Sequence, residues 1–264
     1  MLQFPNVDPV AVHWGSFRIY WYGVMYFISF ISCWCLALYR STRRDLGFTR
    51  RQVSILFSYI IVGVVAGGAL GNVFFYHLHR LWQQPADFFQ LLRSGRSFHG
   101  GLLGVFGGIG LFARRHRKSF WQVADFIAPV MPIGLGLGRL GNFINGELWG
   151  RVTRVPWAMV FPRGGPFLRH PTQLYEFFLE GVVMFVVLWW YTLKPRPRAA
   201  TSGWFLILYG VFRFAVEFFR EPDPRILPLF GWLTRGMQLS VPMIVAGLGL
   251  LIWSRRQDRW SAGS

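Results

Sequence analysis

The stretch GRLGNFINGELWG, from Gly138 to Gly150, places Arg139, Asn142, Asn145 and Glu147 within nine residues, directly after an apolar run. Polar groups at membrane depth are expensive, and chains that keep them there generally use them. A guanidinium offers a rigid planar fork of donors that matches phosphate, and two neighbouring amides can fix its surroundings or tie helix ends together. A second set lies further along. Tyr209, Arg213 and Glu217 recur every four residues, and Arg220 follows three later. That spacing puts all four on one helix face. Arg213 and Glu217 also suit a structural ion pair that makes both charges tolerable in lipid. The chemistry these residues suit is the gripping of an anionic phosphate.

Other chemistries lack their residues. There is no Gly-x-Ser-x-Gly, no His-Glu-x-x-His and no Walker loop. Six scattered histidines and two cysteines do not make a zinc pattern, so no metal is expected. Cys33 and Cys35 are two apart and do not share a helical face. They are read as apolar packing, not as a disulfide or a nucleophile.

The elements that must carry the polar residues follow from hydropathy. The chain has 264 residues, 53% of them hydrophobic, with mean hydropathy +0.35. Its apolar residues fall in runs of about 20, the length that crosses a bilayer as a helix. Seven spans are expected, at 17–38, 55–76, 97–113, 120–140, 175–193, 203–219 and 236–254, making an all-α integral membrane protein with one domain over residues 1–264. The start lacks a basic segment followed at once by an apolar core, so the first helix is expected to be an uncleaved anchor.

A net charge of +17 would suggest nucleic acid in a soluble protein. In a membrane chain it is first a statement of topology. Of 28 basic residues, 26 are Arg; the short connections 39–54, 114–119, 194–202 and 255–264 carry 5, 4, 3 and 3 of the 28, and the other ends share 13 over a greater length. The positive-inside rule then puts the N-terminus outside and the C-terminus in the cytoplasm. No nucleic-acid partner is expected. The outer arginines suit an anionic lipid head group.

The segment between the fourth and fifth spans, about 141–174, holds Pro156, Pro162, Pro166 and Pro171 and is expected to form a small outer head. A second outer segment, 220–235, contains Pro222, Pro224 and Pro228. A third, 77–96, with Trp82 and Pro85, suits an interfacial helix. Gly63, Gly67, Gly71 and Gly100, Gly104, Gly108 recur at the four-residue spacing that lets helices approach closely in lipid. Gly134, Gly136, Gly138 and Gly141 suit either close packing or a helix that opens its backbone N–H groups to a ligand.

Topology then selects by depth. Tyr22 lies near the outer end of the first span, His99 at the outer mouth of the third and Arg139 at the outer end of the fourth. Tyr209, Arg213, Glu217 and Arg220 run outward on the sixth. Glu176 and Glu180 begin the fifth span and suit pairing with outer arginines. Polar residues from separate helices thus gather in the outer half, and they thin out in the inner half, which argues against a transport path.

The residues also resemble a known family. FPNVDPV, WYGVMY, SFHGGLLGV, SFWQVADFIAPVMPIGLGLGRLGNFINGELWGR, RHPTQLYE and YGVFRFAVEFFREPD occur in order over nearly the full length. Together they resemble the bacterial phosphatidylglycerol–prolipoprotein diacylglyceryl transferases. The resemblance implies a multi-pass enzyme of the bacterial inner membrane, with its site toward the periplasm. It implies transfer of the diacylglyceryl group of phosphatidylglycerol to the lipobox cysteine of a preprolipoprotein, with glycerol 1-phosphate as the leaving group and no cofactor. Carried over by position, it implies His99, Arg139, Arg213, Tyr209 and Glu217 as catalytic residues. Arg139, Asn142, Tyr22, Glu147, Gly150 and Arg220 would bind phosphatidylglycerol.

Two blocks depart from the family pattern. GGALGN carries Ala69 and Asn72 where the family usually has arginine and tyrosine, and Arg235-Gly236-Met237 stands where Met-Gly-Gln is usual. Ala69 removes a cation. The competing readings are therefore an anionic-lipid binding or transport protein without chemistry, and a divergent relative with altered substrate.

Overall fold

In a bilayer every backbone N–H and C=O must find a partner within the protein, and a helix supplies these partners locally. The apolar runs accordingly fold as helices in the computed structural model, which describes all residues except Met1, Asn6, Pro9, Ser16, Arg96, 223–231 and 263–264. Pro224 and Pro228 of the second outer segment lie outside the described residues. The helices are α1 (Trp21–Arg40), α2 (Arg50–Tyr76), α3 (Leu78–Gln83), α4 (Phe88–Ser94), α5 (Phe98–Arg115), α6 (Phe120–Ile127), α7 (Met131–Ile144), α8 (Thr172–Tyr191), α9 (Ala200–Glu217) and α10 (Arg235–Ala262). Among the described residues, four are long and apolar enough to cross a membrane, namely Trp21–Arg40, Arg50–Tyr76, Thr172–Tyr191 and Arg235–Gln257. The third and sixth expected spans are helical as α5 and α9 but fall outside that set. Arg114, Arg115 and many glycines dilute α5, and Arg213 and Glu217 dilute α9.

The fourth expected span is broken. α6 and α7 meet at a bend of 53° and count as a fifth crossing only if taken together. Pro129 lies in the break, and Pro132 occupies the first turn of α7, where its missing N–H costs nothing. The glycines beyond do not open the helix. Gly136 packs on Gly181 of α8, Gly134 on Cys33 and Gly141 on Met25 and Tyr22, so close approach is what these three serve, while Gly138 has open space at its Cβ position. Cys33 is buried, with its thiol donating to the Val130 carbonyl, and both cysteines are free.

The all-α expectation needs correction. Short strands β1 (Leu2–Gln3), β2 (Val10–Trp14), β3 (Phe17–Tyr20), β4 (Met159–Val160) and β5 (Leu168–Arg169) form two small sheets. β4 pairs parallel with β1 and antiparallel with β5. β2 and β3 form a hairpin, so the first helix begins at Trp21 and not at 17. Residues 17–20, with two aromatics and one β-branched residue, suit a strand. The segment between α7 and α8 packs on aromatic rings: Phe4 lies 5.3 Å from Phe143 and 5.2 Å from Phe161, centroid to centroid.

The chain forms two compact units, Met1–Leu36 with Ile127–Ser264, and Ala37–Phe126. In the latter unit α2 and α5 pack through their glycines. A Cβ added at Gly63, Gly67, Gly100 or Gly104 would collide with backbone of the opposite helix, and one at Gly108 with the Tyr59 carbonyl. Asn72, one of the departures from the family pattern, is buried here. Its amide donates to the Leu91 carbonyl at 3.0 Å and the Ser94 hydroxyl at 3.1 Å, tying α2 to α4. Trp82 and Phe89 are exposed on α3 and α4. Gly104→Ala should lower stability by about 1–3 kcal/mol through overpacking, whereas Gly107→Ala, with nothing near its Cβ, should not. Thermal unfolding of the detergent-solubilised pair checks this.

Candidate active site: a buried arginine–glutamate cluster

The site residues of the larger unit come from three helices. α7 supplies Arg139 and Asn142, α8 supplies Glu176 and Glu180, and α9 supplies Tyr209, Arg213 and Glu217, with Arg220 just beyond its end. The four-residue spacing on α8 lays both acids on one face, and Glu180 falls in a π-helical stretch, Phe177–Val183. Such stretches widen a helix locally and recur at functional sites. Gly136 against Gly181 lets α7 lie close to this stretch.

Three arginines converge on one carboxylate. Arg139 Nε lies 3.4 Å from Glu176 Oε2, Arg213 Nη1 donates to Glu176 Oε1, and Arg220 Nη1 donates to the same oxygen at 3.0 Å. Arg139 Nη2 also meets Glu180 Oε2 at 3.3 Å, and Arg213 Nη2 meets Glu217 Oε2 at 2.8 Å. Glu176 and Glu180 are fully buried. Arg139, Arg213 and Arg220 keep 19%, 14% and 18% of their side-chain surface, so each still has an accessible edge. Three guanidiniums face three carboxylates. Buried charges persist only when paired in this way.

The remaining expected residues flank the cluster or stand apart from it. Tyr209 lies within electrostatic reach of Glu180, Arg139 and Arg213, its ring stacked on Phe205. The Asn142 amide donates to Glu147 Oε1 at 2.8 Å, so these two bind each other and stiffen the turn after α7. Gln173 donates from α8 to the Glu147 carbonyl. Gly150 is dictated by space. A Cβ there would strike the Phe219 carbonyl, His170 and Thr172. Gly150 bridges to Arg220, and Arg151 donates its backbone N–H to the Phe219 carbonyl at 2.8 Å, which staples this loop to the end of α9. Tyr22 packs against Gly141 and meets the Tyr26 hydroxyl at 3.0 Å. His99 belongs to the other unit. It is exposed at the start of α5, whose N-cap Ser97 accepts from the Gly100 N–H at 3.2 Å.

Some residues that complete the site stood outside the expected set. Glu176 is the hub of the cluster, and its signal was an acid pair at helical spacing on an otherwise apolar span. Gly236 has no Cβ because the Glu217 carboxylate fills that space; only the fold could reveal this. His170, Tyr175 and Trp157 form a further polar string. Trp157 Nε1–H donates to the Tyr175 hydroxyl at 2.6 Å, and the same hydroxyl shares a hydrogen bond with His170 Nδ1 at 3.0 Å. Burial holds His170 below the ordinary histidine range.

A family model described as prolipoprotein diacylglyceryl transferase matches residues 9–253. Two similar proteins bear the name phosphatidylglycerol–prolipoprotein diacylglyceryl transferase. The one from Pseudomonas aeruginosa is 53% identical over 259 residues, covering 98% of this chain and 97% of its own length. The one from Coxiella burnetii is 51% identical over 257 residues, covering 97% and 98% respectively.

Removing the hub should be costly. Glu176→Ala leaves three guanidiniums short of a partner and is expected to destabilise by about 3 kcal/mol, read from denaturant unfolding in micelles. The neutral His170 ring is favoured in the folded state. Its contribution is complete above the unfolded value of about 6.5 and is lost as pH falls from there through the folded value. Melting temperature should therefore drop on acidification, and His170→Gln should shrink that drop.

Proposed function

The chain belongs to the prolipoprotein diacylglyceryl transferase family, and on that premise we propose that it transfers the diacylglyceryl group of phosphatidylglycerol to the lipobox cysteine of a preprolipoprotein. A C–S bond forms, the glyceryl C–O bond to phosphate breaks, and glycerol 1-phosphate leaves. This is the first step of bacterial lipoprotein maturation. The working form is one membrane domain over residues 1–264 with seven crossings, counting α5 and α9 and taking α6 with α7 as one. The N-terminus lies outside, the C-terminus lies in the cytoplasm, and the site opens toward the periplasm from the bacterial inner membrane. The asymmetric distribution of arginine supports this orientation.

The observation that carries the reading is the convergence of Arg139, Arg213 and Arg220 on Glu176, each with an accessible edge. Those edges suit bidentate contact with phosphate oxygens. As the C–O bond breaks, negative charge grows on the departing phosphate, and fixed cations in a water-poor site oppose it strongly. An apolar groove of about 380 Å³ is lined by Leu174, Tyr175, Phe178 and Leu179 of α8, Ala215 and Val216 of α9, and Phe219 just beyond α9. It suits part of an acyl chain, so the lipid keeps its tails in the bilayer while its head group reaches the arginines.

The sulfur nucleophile belongs to the substrate protein. A free thiol ionises near pH 8.5, so a base is needed at neutral pH, and the His99 imidazole is assigned that role. Glu217 orients Arg213, and Tyr209 lies against the same charges. Tyr22 flanks α7, while Asn142, Glu147 and Gly150 hold the loop that closes over the end of α9. The residues assigned to the reaction need no cofactor.

Purified protein, phosphatidylglycerol and a lipobox peptide test the proposal by mass spectrometry. An enzyme adds a diacylglyceryl mass to the peptide, and a lipid-binding or transport protein does not. Arg139→Ala or Arg213→Ala should lower turnover by about 10²–10³-fold and His99→Gln by about 10²–10⁴-fold. Near-normal turnover in any of these removes that residue from its assigned role.

A further inference from the structure

Glu180 is fully buried, and its only ion-pair partner among the described residues is Arg139, at 3.3 Å through Oε2. Its other oxygen, Oε1, has no hydrogen-bond partner among the described residues. Around it stand Glu176 on the same helix, Arg139 from α7, and Arg213 and Tyr209 from α9. Glu176 differs from Glu180 in being shared by three arginines, and Glu217 keeps Arg213. The cluster of three guanidiniums and three carboxylates has no surplus cation for an incoming anion. A phosphodiester that draws Arg139 toward itself leaves Glu180 unpaired in a dry interior, and an unpaired buried carboxylate is far costlier than a neutral one.

We propose that Glu180 takes up a proton from solvent when the anionic head group engages Arg139, so that lipid binding is coupled to one proton. This rests on the reading above that Arg139 grips the lipid phosphate. Glu180 is a positioning residue that acts through Arg139. It releases the guanidinium to the phosphate by becoming neutral. In the chemical step the thiol proton passes to the base, the C–S bond forms, and the electron pair of the breaking C–O bond goes to the phosphate oxygen. The proton on Glu180 keeps the cluster within one charge of neutral as the diester becomes a monoester.

The test is the affinity of the full chain in neutral-detergent micelles for a short-chain phosphatidylglycerol, titrated calorimetrically between about pH 6 and 8. Coupling to one proton makes Kd rise up to about tenfold per pH unit. Buffers of different ionisation enthalpy should report about one proton taken up. Glu180→Gln, neutral at every pH, should bind with a flat profile and no uptake, while His99→Gln should keep both the slope and the uptake. A pH-independent wild type, or a slope that survives in Glu180→Gln, overturns the proposal. Should Glu180→Gln not fold, Glu180→Asp replaces it and must retain a slope with a shifted midpoint; a flat profile there also overturns it. Wild-type binding that ignores Arg139→Ala, or no binding at all, sinks instead the phosphate-gripping reading, and this proposal with it.

Discussion

Charge neutrality in a dry interior governs this protein. Each arginine of the cluster would be prohibitively costly alone in a medium of low dielectric, and so would each glutamate. Their mutual approach makes all six tolerable, and Glu176 is the point through which the pairing runs. The helices that bear them are constrained accordingly. α7, α8 and α9 must present their charged faces to one another, and their apolar faces are then left for lipid. Under the proposed coupling, an incoming anion displaces a carboxylate and brings a proton.

Close helix approach is the second constraint, and glycine provides it in both units. In one, the seam between α2 and α5 leaves no room for a β-carbon at six positions. In the other, Gly136 and Gly181 let α7 press on the π-helical stretch that carries Glu180. Gly150 and Gly236 belong to the same logic at finer scale, since one admits the end of α9 beside the loop and the other admits the Glu217 carboxylate. They set the distances at which the charged groups meet.

Much of the candidate site was legible before folding was considered. Arg213 and Glu217 are four apart on one helix and do pair, and the acids Glu176 and Glu180 of α8 do meet arginines. The α2–α5 seam was visible as two sets of evenly spaced glycines. Other features were hidden for definite reasons. The bend between α6 and α7 sits within a run whose hydropathy is continuous, so only backbone geometry around Pro129 separates the two helices. Strand β1 pairs with a segment more than 150 residues away, which no local pattern encodes. The hydrogen bond from Asn142 to Glu147 depends on the turn after α7, which residue type and spacing do not dictate.

By itself the sequence determined which segments are apolar, which helix faces carry charge, and which family the chain joins, because these depend on residue types and on separations of a few residues. The tertiary structure alone decided that three arginines share one glutamate, that Glu180 is left with an unpartnered oxygen, and that Gly236 must lack a side chain. Those outcomes depend on distances between helices remote in the chain, where packing and the avoidance of unpaired buried charge select one arrangement among many that the same pattern of residues permits.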